Sequence, residues 1–204
     1  MANTRCATAL ISLDLRNAAE FVKWAKARPG QLSYGSAGNG SPPHLAGELF
    51  KLAHGLDLQA AHYKGTGAVI PDLLAGWLQM MITSSSVSKP YIDSGKVRAL
   101  AISGAKRSAG LPSVPTFSEA GVPLSDLDFG AWWGLYAPGG VARNIAAKLN
   151  EVLARTLSQA DVRERLATSQ IETVTMLPEA FAKFVQDETS KWARVIQRAK
   201  IVAD

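Results

Sequence analysis

Apolar side chains recur every three or four residues along some stretches of the chain and every second residue along others, and these two periods divide it into elements. Residues 1–16 read as an irregular or strand-like segment in which Ala9, Ile11 and Leu13 alternate with Ser12 and Asp14. Asn17 then caps a helix to about Arg28, with Glu20 completing a capping box and Phe21, Trp24 and Ala25 on the buried side. Gln31 to Tyr34 is a short strand, and Ser41-Pro42 opens a second helix that Gly55 closes. That helix carries Leu45, Ala46, Leu49, Leu52 and Ala53 on one stripe and His44, Glu48 and Lys51 on another.

Strand, turn and helix then recur. Leu58 to Tyr63 is a strand, and Thr66 caps a helix with Val69, Ile70, Leu73 and Leu74, Pro71 falling near the end of its first turn. Trp77 to Ile82 alternates as a strand with Leu78, Met80 and Ile82 on one face, and Ser86 caps a short helix through Tyr91 and Ile92. Val97 to Ser103 is a further strand, 106–122 is loop-rich with a short helix around 116–120, and Leu127 to Tyr136 predicts a long strand. The aromatics of that strand, Phe129, Trp132, Trp133 and Tyr136, suit inter-domain packing and, more weakly, an aromatic ligand wall. Beyond Val141, Ile145, Leu149, Val152, Leu153 and Leu157 follow helical spacing, a shorter helix runs through Leu166, and Ile171 to Met176 is a strand. Pro178 opens a final helix through Lys200 with Phe181, Phe184, Val185, Trp192 and Ile196 on its core face.

Composition adds bounds. The chain has 204 residues, 47% hydrophobic and 19% charged, as globular proteins do, and can bury one good core or two small ones. Its net charge of +5 is scattered and is densest at Lys191, Arg194, Arg198 and Lys200, a solvated helix face rather than a basic stripe for nucleic acid. One cysteine excludes an internal disulfide. No apolar run reaches membrane-spanning length, and Ala7 to Leu13 makes no convincing signal peptide. His44, His54 and His62 lack metal-ligand spacing, so neither a metal nor a cofactor is expected.

The chemistry concentrates at Tyr34-Gly35-Ser36-Ala37-Gly38-Asn39-Gly40-Ser41-Pro42-Pro43-His44. Glycines let this turn approach a ligand closely, and a capped helix start directs N–H groups and a positive dipole end at an anion. The order G-x-x-G-x-G is not the dinucleotide fingerprint, and no Gly-Lys-Ser/Thr phosphate loop is present. If parallel strands end at 35, 63 and 82, their loops gather at one sheet edge, where open α/β sheets bind ligands. Ser36, Ser41, Thr83 and Ser84 then supply neutral donors, and Lys64 is either a carboxylate partner or an exposed lysine beside a turn. A tight turn without ligand is the plainer reading of the same residues, in which His44 is a solvated first-turn residue. A serine hydrolase using Ser36 or Ser41 with His44 or His62 has no G-x-S-x-G elbow to support it.

Pro29 to Ser41, His44-Leu45-Ala46-Gly47-Glu48-Leu49-Phe50 and Tyr63-Lys64-Gly65 resemble the solute receptors of tripartite tricarboxylate transporters, the Bug or TctC family. Asp93 to Ala101, Leu111 to Thr116 and Trp133 to Pro138 match further motifs in the same order. The resemblance implies a periplasmic, non-catalytic protein of type II periplasmic-binding-protein architecture, closing two α/β domains on a small carboxylate such as a dicarboxylate or acidic amino acid. Its partners would be the membrane components of such a transporter. By the same resemblance the ligand-binding residues are Ser36, Ala37, Gly38, Asn39, Gly40, Ser41, His44, Tyr63, Lys64, Gly65, Thr83 and Ser84. Family members are longer, so the chain reads as a receptor lacking the N-terminal third. It divides into a junction over 1–16, a complete ligand-binding α/β domain with a parallel-rich sheet over 17–126, and the C-terminal part of an incomplete domain over 127–204. Self-association through that incomplete domain is expected. Thr83 stands where the family usually has aspartate, which removes a charge. A truncated, non-binding remnant or interaction module is the alternative.

Overall fold

The computed structural model describes residues 2–4, 7–11, 14–124, 131–169 and 171–202. Two sheets organise it. A short antiparallel sheet joins β1 (Ala2–Thr4) to a strand at Ala131–Trp133 on one side and one at Glu172–Thr173 on the other. The larger, five-stranded sheet contains β2 (Ala7–Ile11), β3 (Leu32–Ser36), β4 (Leu58–His62), β5 (Met80–Ser84) and β6 (Arg98–Ile102), in the order β4-β3-β5-β2-β6. β4, β3 and β5 are mutually parallel, and β2 runs antiparallel to both β5 and β6.

Helices cover both faces of the large sheet. On one side α1 (Ala18–Lys26) and α2 (Pro42–His54) bring Phe21, Ala25, Leu49 and Phe50 against Tyr34, Met80 and Ile82. On the other, a 3-10 turn at Thr66–Ala68, α3 (Ile70–Leu74) and α4 (Ser85–Asp93) set Val69, Ile70 and Leu73 against Leu10 and Met81. Adjacent residues of β2 and β5 therefore feed opposite cores, and β5 is buried from Met80 to Thr83. Burial on both faces of a parallel-rich sheet is what helix-covered α/β architecture requires.

Capping fixes the helix starts. Asn17 Oδ1 accepts from the Glu20 amide at 2.8 Å, while Glu20 Oε2 accepts from the Arg16 amide at 2.8 Å. The expected box closes one residue further back than its usual form. Ser41 caps α2 with Pro42 in its first turn, and Gly55 ends it in the left-handed region at φ 60°.

Several expectations shift. Ala7–Ile11 is a strand inside the sheet, whereas Leu13 lies outside the described residues. Trp77 is 77% exposed and precedes β5, so Thr83 and Ser84 belong to the strand instead of the loop after it. Leu78 faces the Leu10 and Met81 side, opposite Met80 and Ile82, because the extended backbone starts only at Met80. Pro71 sits in the first turn of α3, and Gly65, not Thr66, precedes the 3-10 turn. Ser84 occupies the N-cap of α4, so Ser86 is already helical. Thr116 and Glu119 form the reciprocal bonds of a capping box, at 2.8 and 3.1 Å, around turns with no helix.

From residue 131 the chain forms β7 (Ala131–Trp133), α5 (Arg143–Ser158), α6 (Ala160–Thr168), β8 (Glu172–Thr173) and α7 (Pro178–Ala199). The expected long strand reaches only Trp133 among the described residues, and Phe129 lies outside them. Trp132 packs within this part of the chain on Phe181 and Phe184, with ring centroids 5.9 and 5.2 Å apart. Val195, not Ile196, is the buried residue of α7; with Trp192 it joins the core beneath α1 and α2.

Candidate functional site

The carboxyl ends of β3, β4 and β5 lie side by side, at residues 36, 62 and 84. The anchor turn leaves β3 there. Ser41 N–H donates to Gly38 O at 3.2 Å, and Gly38 takes φ 127°, a value only glycine adopts readily. A Cβ on Gly38 would also stand 3.6 Å from Tyr63 O. The loop after β4 is tied to this turn by Tyr63 N–H to Ser36 O at 3.0 Å and Gly65 N–H to Ala37 O at 3.3 Å. Two of the three expected loops thus form one unit around the start of α2.

Ser36 is fully buried, and its hydroxyl lies 2.6 Å from His62 Nδ1, the residue paired with it across the parallel ladder. Gly38 contributes longer contacts to the same Oγ, through its N–H and its carbonyl, each at 3.4 Å. His44, expected in solvent, is buried: its Nδ1 accepts from Gly40 N–H at 3.0 Å, and its ring meets His62 edge-on at 4.6 Å. Burial first, and the His62 ring next, lower the His44 pKa, so the ring is held neutral.

Below His44 on α2, Glu48 accepts from the Tyr34 hydroxyl at 2.8 Å and pairs with Lys51 at 2.7 Å. The i, i+4, i+7 spacing of His44, Glu48 and Lys51 puts all three on one flank of the helix. Burial, reinforced by Glu48, raises the Tyr34 pKa and keeps the phenol a donor. Tyr63 donates to Asp72 Oδ2 at 2.5 Å, which with burial pushes its pKa up to about 12.

These groups open on a polar groove of about 630 Å³. Gly38, Asn39, His44, Glu48, Lys51, His62, Tyr63 and Lys64 line it together with residues 199–202. Asn39 Nδ2 donates to Val202 O at 2.7 Å across it. Of the sequence-derived residues, Ser36, Ala37, Gly40, Ser41 and Gly65 shape the turn behind this groove. Thr83 and Ser84 stand apart from it on β5, where Thr83 is buried opposite Thr8 and Ser84 Oγ bonds Ser86 Oγ at 3.0 Å. Glu48, Lys51, His62 and Lys200 line the groove but were absent from the expected ligand set. The polar stripe on α2 is the signal for two of them, Glu48 and Lys51.

A second, apolar groove of about 420 Å³ lies between α5 and α7, walled by Leu135, Tyr136, Leu149, Leu153, Phe181 and Val185. No group of three or more metal-ligating side chains occurs among the described residues, and no helix there is long and apolar enough to cross a membrane.

The sequence model for the tripartite tricarboxylate transporter family receptor (TctC) matches residues 7–201. A UPF0065 protein in the tcbD-tcbE intergenic region of Pseudomonas sp. strain P51 is 33% identical over 189 residues, 93% of this chain and 56% of that protein. Protein BugT of Bordetella pertussis is 33% identical over 185 residues, 91% of this chain and 56% of its own length. Among solved structures, R. palustris Rpa4515 with adipate matches at TM-score 0.84 and 31% identity, covering 97% of this chain and 66% of that one. MatC from Rhodopseudomonas palustris with bound malate matches at TM-score 0.78 and 30% identity, covering 96% and 67%. The periplasmic binding protein BugD matches at TM-score 0.80 and 29% identity, covering 96% and 66%. The chain thus spans a little over half the length of the two sequence relatives and about two thirds of the three structures.

Proposed function

The chain belongs to the tripartite tricarboxylate transporter receptor family, and from that premise we propose that it is a non-catalytic solute receptor holding a small dicarboxylate at the carboxyl edge of its five-stranded sheet. The observation that carries the reading is the anchor turn: a left-handed glycine loop and a capped 13-residue helix, bound by two backbone hydrogen bonds to the loop after β4. The positive dipole end of α2 and the polar and ammonium groups that line the groove at this edge suit a carboxylate. Structures described with adipate and with malate share the fold. By the same premise the protein works in the periplasm with the membrane components of a tripartite transporter. We assign ligand binding to residues 17–126, joined by β2 and by the end of α7 at residues 199–202, and the rest of the portion from 127 onward to a second domain.

The test is calorimetric melting of the chain with adipate, malate and aspartate at low salt. A ligand at a hundred times its dissociation constant adds about 2.7 kcal/mol if it binds only the folded state. The expected result is a selective shift with a dicarboxylate that Gly38→Leu abolishes. A cooperative unfolding transition that none of the three moves would overturn the reading and leave a non-binding remnant.

The Ser36–His62 bond is the one observation that favours a hydrolase. The serine is fully buried, and no described carboxylate bonds His62, so neither access nor an orienting acid is provided. Ser36→Ala should leave p-nitrophenyl acetate hydrolysis at the level of the unaltered chain.

A further inference from the structure

Resting on that reading, we infer that His62 is a ligand-recognition residue of the polar groove: as a dicarboxylate enters, His62 takes up one proton from solvent, and Ser36 passes the change to the anchor turn. The groove, at about 630 Å³, falls within the roughly 300–1,000 Å³ of small-molecule sites. Its charges are asymmetric. His44, Glu48 and Lys51 face it from α2, Tyr63 and Lys64 from the loop after β4, and Lys200 from the end of α7. Glu48 is already engaged by Tyr34 and Lys51. Lys64 and Lys200 leave the groove positive overall, and two ligand carboxylates drawn in by that charge and set beside the His44 and His62 rings favour a proton on one of them.

The proton has a defined place to go. His44 Nδ1 accepts the Gly40 N–H at 3.0 Å, so a proton there would break a bond of the anchor turn. Burial and the neighbouring ring also lower the proton affinity of His44. The two rings are too close for both to be charged, and His62 is the more exposed.

His62 Nδ1 faces Ser36 Oγ at 2.6 Å. While that nitrogen carries a lone pair, the serine hydroxyl donates to it. Once it carries a proton, it donates to Oγ and the hydroxyl proton must turn elsewhere; Gly38 O at 3.4 Å is the acceptor within reach. Gly38 lines the groove, so charge on His62 is read out as a hydrogen bond inside the turn.

Titration calorimetry of the chain with adipate, in phosphate and in Tris at about pH 7, tests this, since that range spans the titration of an ordinary histidine. The observed heat should vary with the ionisation enthalpy of the buffer, with a slope of up to one proton taken up. Affinity should tighten as the pH falls from about 8 to about 6, and His62→Gln should remove both effects. A buffer-independent heat, or the same slope in His62→Gln, overturns the proposal while adipate binding itself still supports the receptor reading. If that variant does not fold, the His62 ring is titrated by NMR in the unaltered chain with and without adipate. Its pKa should rise on binding, and an unchanged value overturns the proposal. Failure of adipate to bind at all overturns the proposal and the receptor reading for this dicarboxylate together.

Discussion

Tyr34 shows how one side chain ties the core to the groove. Its ring lies under α2, its hydroxyl bonds Glu48 at 2.8 Å, and its face receives Lys51 with Nζ 5.8 Å from the centroid. The arrangement needs a helix residue without a side chain. At Gly47 an added Cβ would fall 2.1 Å from the Tyr34 ring. Glycine in a helix ordinarily costs about 1 kcal/mol relative to alanine, so Gly47→Ala would stabilise an open site. Here the ring cannot retreat without losing the Glu48 bond, and overpacking of that kind costs about 1–3 kcal/mol or more. Gly47→Ala is therefore expected to lower the urea midpoint, and a midpoint equal to or above that of the unaltered chain would count against this packing. Glycine at position 47 was visible in the sequence, but its neighbour was not: a side chain thirteen residues earlier becomes its contact only once β3 and α2 are packed together.

At the scale of elements, local chemistry determined more than hydrophobic spacing did. The Asn17 and Ser41 caps and the Gly55 stop were legible because each acts within four residues of chain. Asn17→Ala removes an acceptor from the Glu20 amide and should cost about 1 kcal/mol, read as a fall in the urea midpoint that Asn17→Ser largely restores. A midpoint unmoved by Asn17→Ala would show that the Glu20 contact to Arg16 suffices alone. Strand limits were less legible. Burial of β5 on both faces leaves its limits unmarked, and the apparent alternation of Leu78, Met80 and Ile82 sets the strand at 77–82, where the structure has Met80–Ser84. The groove behaves likewise. Its anchor turn is one contiguous stretch, whereas His62 and Lys200 reach it through sheet register and the return of α7, which no local pattern encodes.

Taken whole, the molecule pairs a sheet covered on both faces with a C-terminal portion that is thinly covered. Leu135 and Tyr136, 63 and 62% exposed, line the apolar groove between α5 and α7, and Leu177, between the lining residues Met176 and Pro178, is 69% exposed. Exposed apolar surface of this kind marks an interaction site. The chain is expected to sediment as concentration-dependent oligomers, and Leu149→Glu, within that groove, should shift the distribution towards monomer. A monomer throughout the micromolar range would count against it.

The position of β2 has a further consequence, for kinetics. Residues 7–11 pair with 81–84 on one side and 98–102 on the other, and no nearer strand is available to them. During synthesis this segment must wait, unpaired, until roughly seventy further residues have left the ribosome, and closing so long a loop is entropically costly before its contacts reward it. β3 and β4 can form their ladder long before. Completion of the sheet, which needs β2 to join β6 to β5, is thus timed by the capture of one five-residue segment; substitutions there would be felt first in the folding rate.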